Sequence, residues 1–178
     1  MPERTIRSDH VFHGHLLRLR VDEVELESGR GATREIVEHP GAVAILAWDG
    51  ARLAMVSQWR AAASADLLEI PAGTLDPGEE SGVTARRELA EECGLAAKRW
   101  EKGPSFYTAP GFSTELLTLF LATDLLPTEA SAPDDEELAR SWLTLDEALA
   151  ASDDGRIVDA KSLVGILWLA RRLDGEAP

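Results

Sequence analysis

Apolar and polar positions alternate through much of the first forty residues. Leu17, Leu19 and Val21 interleave with Arg18, Arg20 and Asp22, and Val24 and Leu26 resume the alternation after a one-residue slip at Glu23, which predicts a strand over residues 16–27. The stretch S-G-R-G-A at 28–32 reads as a turn, and residues 34–38 resume a strand. Pro40-Gly41 breaks the pattern, and residues 42–48 are then apolar almost without interruption, as expected of a buried strand. Asp49-Gly50 is a hairpin signal with residues 52–59 as the return strand. These patterns predict a small antiparallel β subdomain over residues 1–40 and a main domain over 41–178.

Further along, residues 67–70 form a short expected strand ending at Pro71, and Asp76-Pro77-Gly78 a turn. Ser81 is the expected N-cap of a helix reaching about Cys93, with Ala85, Leu89 and Cys93 on one apolar stripe and Gly94 as a left-handed C-cap. Strands are expected near 104–108, 115–123 and 138–143, and helices near 145–152 and 160–173. The expected class is therefore α/β.

Composition narrows the function. The 178 residues are 44% hydrophobic and 28% charged, enough for one packed domain with a small addition. The formal net charge of −14 argues against a partner such as nucleic acid or an anionic membrane. A phosphate-bearing ligand would need cations or a few placed arginines to reverse that sign locally. Cys93 is the only cysteine, so no intrachain disulfide forms and a reducing compartment fits. The first ten residues carry charge where a signal peptide is apolar, and no apolar run approaches the roughly 20 residues of a membrane helix, so a cytoplasmic location is expected.

The chemistry concentrates between residues 73 and 95, G-T-L-D-P-G-E-E-S-G-V-T-A-R-R-E-L-A-E-E-C-G-L. On a helix, Glu88, Glu91 and Glu92 stand at i, i+3 and i+4 and project from one face. Like charges about 5 Å apart repel by roughly 3 kcal/mol at an effective dielectric near 20. Helix formation alone does not account for that cost. A hard divalent cation such as magnesium relieves it, because it takes oxygen ligands from small carboxylate clusters while keeping waters and substrate phosphates. Arg87, four residues before Glu91, is placed to hold that carboxylate. The plainer alternative is a solvated, glutamate-rich helix face.

The full spacing favours the first reading. Gly73, five residues, Glu79, seven residues and then R-E-L-x-E-E-x-G-L over 87–95 resembles the Nudix box at every defined position. Seven of those positions demand one residue type, so a chance match is below about 10⁻⁸ per start point. The resemblance implies an α/β/α sandwich around a mixed sheet, with the small N-terminal β subdomain added to it. It also implies metal-dependent hydrolysis by water attack on phosphorus. By that resemblance Glu88, Glu92 and the backbone carbonyl of Ala72 are metal ligands, Glu91 lies beside them, Glu79 is the accessory acid and Arg87 the orienting arginine. Gly73 and Gly94 complete the box. The implied cofactor is magnesium, with manganese or another divalent cation as the alternative.

Segments outside the box resemble the ADP-ribose pyrophosphatase branch. Pro110 lies 15 residues after Leu95 within T-A-P-G-F-S-T-E, while R-E-I-V-E-H-P-G-A-V from Arg34 and Q-W-R at 58–60 look like their counterparts there. The analogy puts Arg34 near the nucleoside end and Arg60 on the diphosphate, where a guanidinium fork suits paired phosphate oxygens. Glu115 belongs to the Pro110 loop. In the acidic run at 134–137, the register implies Asp134 as general base and Glu136 as a further ligand. The branch more often has glutamate at that first position, so Glu136 or Glu137 is the alternative base. The implied reaction is ADP-ribose to AMP and ribose 5-phosphate, by a homodimer that joins through its N-terminal strands. The rivals are another Nudix substrate (a nucleotide sugar, a dinucleoside polyphosphate, an oxidised nucleotide) and a sensor that binds ADP-ribose without cleaving it.

Histidines 10, 13 and 15 have no cysteine or acidic ligand to complete a metal set and read as surface or interface residues. Among the five tryptophans, Trp59 beside Arg60 is the one placed to face a base.

Overall fold

A computed structural model describes residues 3–129 and 138–175 of the chain. It resolves into two compact units, one made of Met1–Gly41 with Phe106–Leu116, the other of Ala42–Ser105 with Leu117–Pro178.

The first unit is built on a three-stranded antiparallel sheet, β1 (Arg4–His13), β2 (Arg18–Glu25) and β3 (Gly31–Glu38), in that spatial order. The alternating pattern of residues 16–27 gives β2, and its register against β3 runs unbroken from Arg18↔Glu38 to Glu25↔Gly31. β2 thus carries no slip against β3, while on its other edge a register shift faces Glu23, between Thr5↔Val24 and Arg7↔Glu23, with the extra residue in β1. Asp22 and Val24 are both buried on one face, and the Asp22 carboxylate is satisfied by the Ser8 hydroxyl at 2.6 Å. β1 was not expected: all ten of its residues are exposed, so no period of burial marks it, and its place is set by backbone pairing with β2. The far end of β3 pairs with the loop at 112–114, Val37 N–H donating to Phe112 O at 2.7 Å and Thr114 N–H to Val37 O at 3.0 Å.

The second unit holds the main core. Its mixed sheet has the order β7 (Ala72–Thr74), β4 (Ala42–Ala47), β9 (Leu116–Pro127), β8 (Leu95–Tyr107), with β4 antiparallel to β7 and parallel to β9. All six residues of β4 are buried, which its apolar run demands of a strand covered on both faces. Val43, Ile45 and Ala47 pack with Ala85 and Leu89 of helix α1 (Ser81–Cys93). The opposite face receives helix α3 (Ala160–Leu173), where a Cβ on Gly165 would meet Leu46 at 3.3 Å and Leu119 at 3.6 Å. The result is an α/β/α layering.

A second, antiparallel sheet has the order β10 (Leu138–Thr144), β5 (Arg52–Arg60), β6 (Ala65–Glu69). Helix α2 (Leu145–Asp153) follows β10, opened by a capping box between Thr144 and Glu147. The turn at Asp49-Gly50 forms, the Asp49 carboxylate accepting from the N–H groups of Ala51 at 2.8 Å and Arg52 at 2.6 Å. It does not make the expected hairpin. Both edges of β4 are taken by β7 and β9, so pairing with β5 stops at the single bridge Trp48↔Leu53 and the strands enter different sheets.

Two boundaries also differ. Helix α1 is capped by Glu80 rather than Ser81 and has no side-chain cap, and β8 starts at Leu95 rather than near 104. Gly94 takes the expected left-handed conformation, φ 63° and ψ 33°, between them.

Candidate active site

The site grows from one loop and one helix of the second unit. Pro77 and Gly78 (φ 82°) make a tight turn closed by Glu79 N–H to Asp76 O at 2.9 Å, with the positive φ falling on the residue type that tolerates it. This delivers the chain to α1 with Ala85 and Leu89 facing the core and the glutamates to one side.

Arg87 is the hub of the acidic face. Its Nη1 donates to Glu88 Oε1 at 2.6 Å and to Glu91 Oε2 at 3.1 Å, while Nη2 donates to Glu79 Oε2 at 3.1 Å. The hydrogen bond with Glu79 is the largest cause raising the Arg87 pKa, and the same bond holds the Glu79 carboxyl below the usual range. One guanidinium therefore offsets part of the repulsion that the carboxylate spacing implies, yet four glutamates still outnumber it. Thr84 helps fix Glu79 through its hydroxyl at 2.9 Å.

Glu92 is only 3% exposed and accepts the backbone N–H of Ala72 at 2.9 Å. Gly73, next in the chain, lies against Glu88: a Cβ there would stand 2.0 Å from the carboxyl carbon. Strand β7 is thus shaped around two glutamates of the helix, one held by the peptide N–H of Ala72 and one given room by the missing side chain of Gly73. The donor set is all oxygen, which fits a hard divalent cation. Among the described residues no three histidine, cysteine or acidic side chains converge as a complete ligand cluster. Asp134 and Glu136, the expected base and further ligand, lie outside the described residues. Burial, with the charge of Glu92 adding to it, pushes the Cys93 thiol up to about 12.

The residues expected to touch substrate are divided. Arg60 is in the second unit, where it makes a bidentate contact with Glu69, Nε to Oε1 at 3.0 Å and Nη2 to Oε2 at 2.6 Å. Trp59 is exposed beside it. Arg34, Pro110 and Glu115 belong to the first unit. Arg34 bonds the Glu3 carboxylate and the Thr33 carbonyl. Pro110 lies in a turn closed by Phe112 N–H to Ala109 O at 3.1 Å, and Glu115 accepts from the Thr108 hydroxyl and lies 3.6 Å from His39 Nε2. His10 bonds the Glu38 carboxylate at 3.0 Å.

Sequence reasoning missed Arg140. From β10 its Nε donates to Glu92 O at 2.5 Å and its Nη2 to Glu91 O at 3.1 Å, so it caps the C-terminal carbonyls of the glutamate helix. It also missed Glu69, Lys161 and Ser162, whose contacts join segments about ninety residues apart. No local pattern announces either arrangement.

The sequence profile of the NUDIX domain matches residues 37–163. The chain belongs to the Nudix hydrolase family. Among its relatives, the ADP-ribose pyrophosphatase of Bacillus subtilis (strain 168) is 41% identical over 172 residues, 95% of this chain and 93% of that one. The methanol dehydrogenase activator of Bacillus methanolicus is 42% identical over 170 residues, 94% of this chain and 92% of that one. A crystal structure of an ADP compounds hydrolase matches 99% of this chain and 97% of its own with a TM-score of 0.88 at 20% identity, a likeness of Nudix fold.

Proposed function

We propose that this Nudix hydrolase cleaves the pyrophosphate bond of ADP-ribose to AMP and ribose 5-phosphate. Its similarity along 95% of the chain to an ADP-ribose pyrophosphatase carries the choice of substrate. The glutamate helix and the loop fitted to it support the chemistry.

Glu88, Glu92 and the carbonyl of Ala72 are the residues that would hold magnesium or a similar divalent cation, with Glu136 as a further ligand. When bound, the cation would polarise phosphoryl oxygens and lower the pKa of the attacking water. The protein's own residues do the rest. Ala72 N–H fixes the Glu92 carboxylate and Arg87 orients Glu88 and Glu91. Gly73 leaves the room that Glu88 fills. In the reaction a water oxygen bonds to phosphorus, the bond from that phosphorus to the bridging oxygen breaks, and the water's proton passes to an acidic residue of 134–137. Attack at either phosphorus gives the same two products. Arg60 serves the diphosphate, and Arg34, Pro110 and Glu115 the remainder of the substrate.

The N-terminal strands of residues 1–40 are read as the dimerisation element. Ile6, Val11, Phe12 and Leu16 are large apolar side chains left exposed there, which supports a covered face in a homodimer. Among the described residues no helix is long and apolar enough to cross a membrane. The single cysteine supports a cytoplasmic location.

The test is AMP release from ADP-ribose with magnesium, comparing wild type with Glu92→Gln. Rapid release abolished by the substitution is expected. Turnover of another nucleoside-diphosphate compound in its place would move the substrate, and binding without any turnover would make the chain a sensor.

A further inference from the structure

Glu69, the last residue of β6, is 1% exposed, and two cations converge on it. Arg60 uses Nε and Nη2 on its two oxygens, and Lys161, in the first turn of α3, donates Nζ to Oε2 at 2.6 Å. Lys161 is itself buried and also reaches Asp159 Oδ2 at 2.9 Å. Asp159 caps α3 by accepting the Ser162 N–H at 3.0 Å and hydroxyl at 2.6 Å, and the Ser162 oxygen accepts the N–H of Ile70 at 2.9 Å. The start of α3 is thereby fastened to residues 69 and 70, just before strand β7, which meets Glu92 and Glu88.

A buried ion cluster such as Arg60–Glu69–Lys161 is commonly no more stabilising than well-packed apolar side chains of similar volume in place of the whole set. The lysine therefore calls for an account beyond stability, and the geometry of Arg60 offers one. The contact with Glu69 occupies Nε and Nη2, leaving the Nη1 edge, and the Arg60 side chain is 39% exposed. Its pKa is raised, chiefly by the Glu69 hydrogen bonds against the opposing effect of burial, then by the charge of Glu69 and, less, by those of Glu92 and Asp159, so the guanidinium feels one carboxylate of the glutamate helix.

We propose that Lys161 is a positioning residue: by gripping Glu69 from the buried side it fixes the plane of the Arg60 guanidinium, so that the Nη1 edge is presented to a diphosphate oxygen. This rests on the reading of Arg60 as the diphosphate arginine. Without Lys161 the Glu69 carboxylate gains freedom to rotate and Arg60 turns with it. The loss falls on substrate binding rather than on the chemical step.

The experiment is a double-mutant cycle of Lys161→Met and Arg60→Gln. It reads calorimetric affinity for a non-hydrolysable α,β-methylene analogue of ADP-ribose, with KM and kcat for ADP-ribose alongside. Met in place of Lys161 leaves Glu69 on Arg60 and Asp159 on Ser162, so the single variant orphans no buried charge; Lys161→Gln, whose amide can still donate to Glu69, is the second variant and replaces Lys161→Met throughout the cycle if either Met variant does not fold. Lys161→Met is expected to weaken binding about five- to tenfold and raise KM with kcat nearly unchanged. Lys161→Arg should restore most of the affinity, and in the Arg60→Gln background the lysine substitution should add no further loss. Unchanged binding by Lys161→Met overturns the proposal, as does an equal loss with and without Arg60. If Arg60→Gln binds as tightly as wild type, the diphosphate reading of Arg60 itself fails and this inference falls with it. The first two outcomes leave that reading intact.

Discussion

The carboxyl carbon of Glu88 lies 2.0 Å from the point where a Cβ on residue 73 would stand, so the missing side chain of Gly73 is the space the carboxylate occupies. Gly73 is absent from the residues with positive φ, so its backbone places no demand for glycine. The group displaced by a larger residue is the far end of a flexible side chain. Gly73→Ala should therefore fold with nearly wild-type thermal stability while Glu88 is pushed aside. Misplacement of a ligand by about 1 Å costs on the order of a hundredfold in rate. Steady-state kinetics beside a thermal melt checks this, and a large fall in Tm would show that the glycine serves folding instead.

Arg87 should not be replaceable by lysine. Three carboxylates are shared among the separate nitrogens of its fork, and an ammonium is a single point with no fixed plane. Arg87→Lys is expected to lower kcat/KM by roughly ten- to a hundredfold, the usual range for residues that orient metal ligands. Activity within twofold of wild type would mean that charge alone is needed there.

Arg140 holds the end of the glutamate helix through two backbone carbonyls. Arg140→Met removes both bonds and the favourable charge at the helix C-terminus, worth together about 1 kcal/mol, or a few degrees in Tm for a domain of this size. Differential scanning calorimetry of Arg140→Met and Arg140→Lys is the check, with the lysine variant expected between methionine and wild type.

Glu147 gives a pH dependence. Hydrogen bonds from the Thr144 N–H and hydroxyl lower its carboxyl pKa below the ordinary 4.5. A group depressed in the folded state adds stability that is complete above its unfolded pKa and is lost as pH falls through the folded one. Glu147→Gln should accordingly melt below wild type at pH 7, with the gap narrowing once pH drops beneath about 4.5 and closing when the wild-type carboxyl is protonated. Parallel melts across that range decide it. A gap independent of pH would assign the effect to geometry rather than charge.

What was legible in the chain follows from where each signal resides. The burial of β4 and the positions of α2 and α3 come from apolar runs and periods, which are local. The box glutamates share a helical face by spacing alone, and Gly94 ends that helix because the left-handed conformation selects glycine. β1 was illegible because none of its side chains is buried. The Asp49 turn is legible in the sequence but the partners of its strands are not, since the competition of β7 and β9 for the edges of β4 is invisible until the sheet is assembled. Likewise the spacing reveals Arg87 beside Glu91 but cannot reveal that Arg60 leans on Glu69 and Lys161, whose meeting depends on tertiary structure.

Helix α1 ends at Cys93 and strand β8 begins at Leu95, with Gly94 the sole residue between them. Gly94 also accepts the N–H of Thr128 on its carbonyl, at 2.9 Å. There is no slack at this joint. Adding or deleting one residue would turn each side chain of β8 to the opposite face of its sheet. Descendants of this gene can change letters around position 94 but not the count of letters, whereas the exposed turn at 61–64 can gain or lose residues at small cost. Heritable length variation is thus confined to some joints of the fold and closed at the one where the glutamate helix passes into β8.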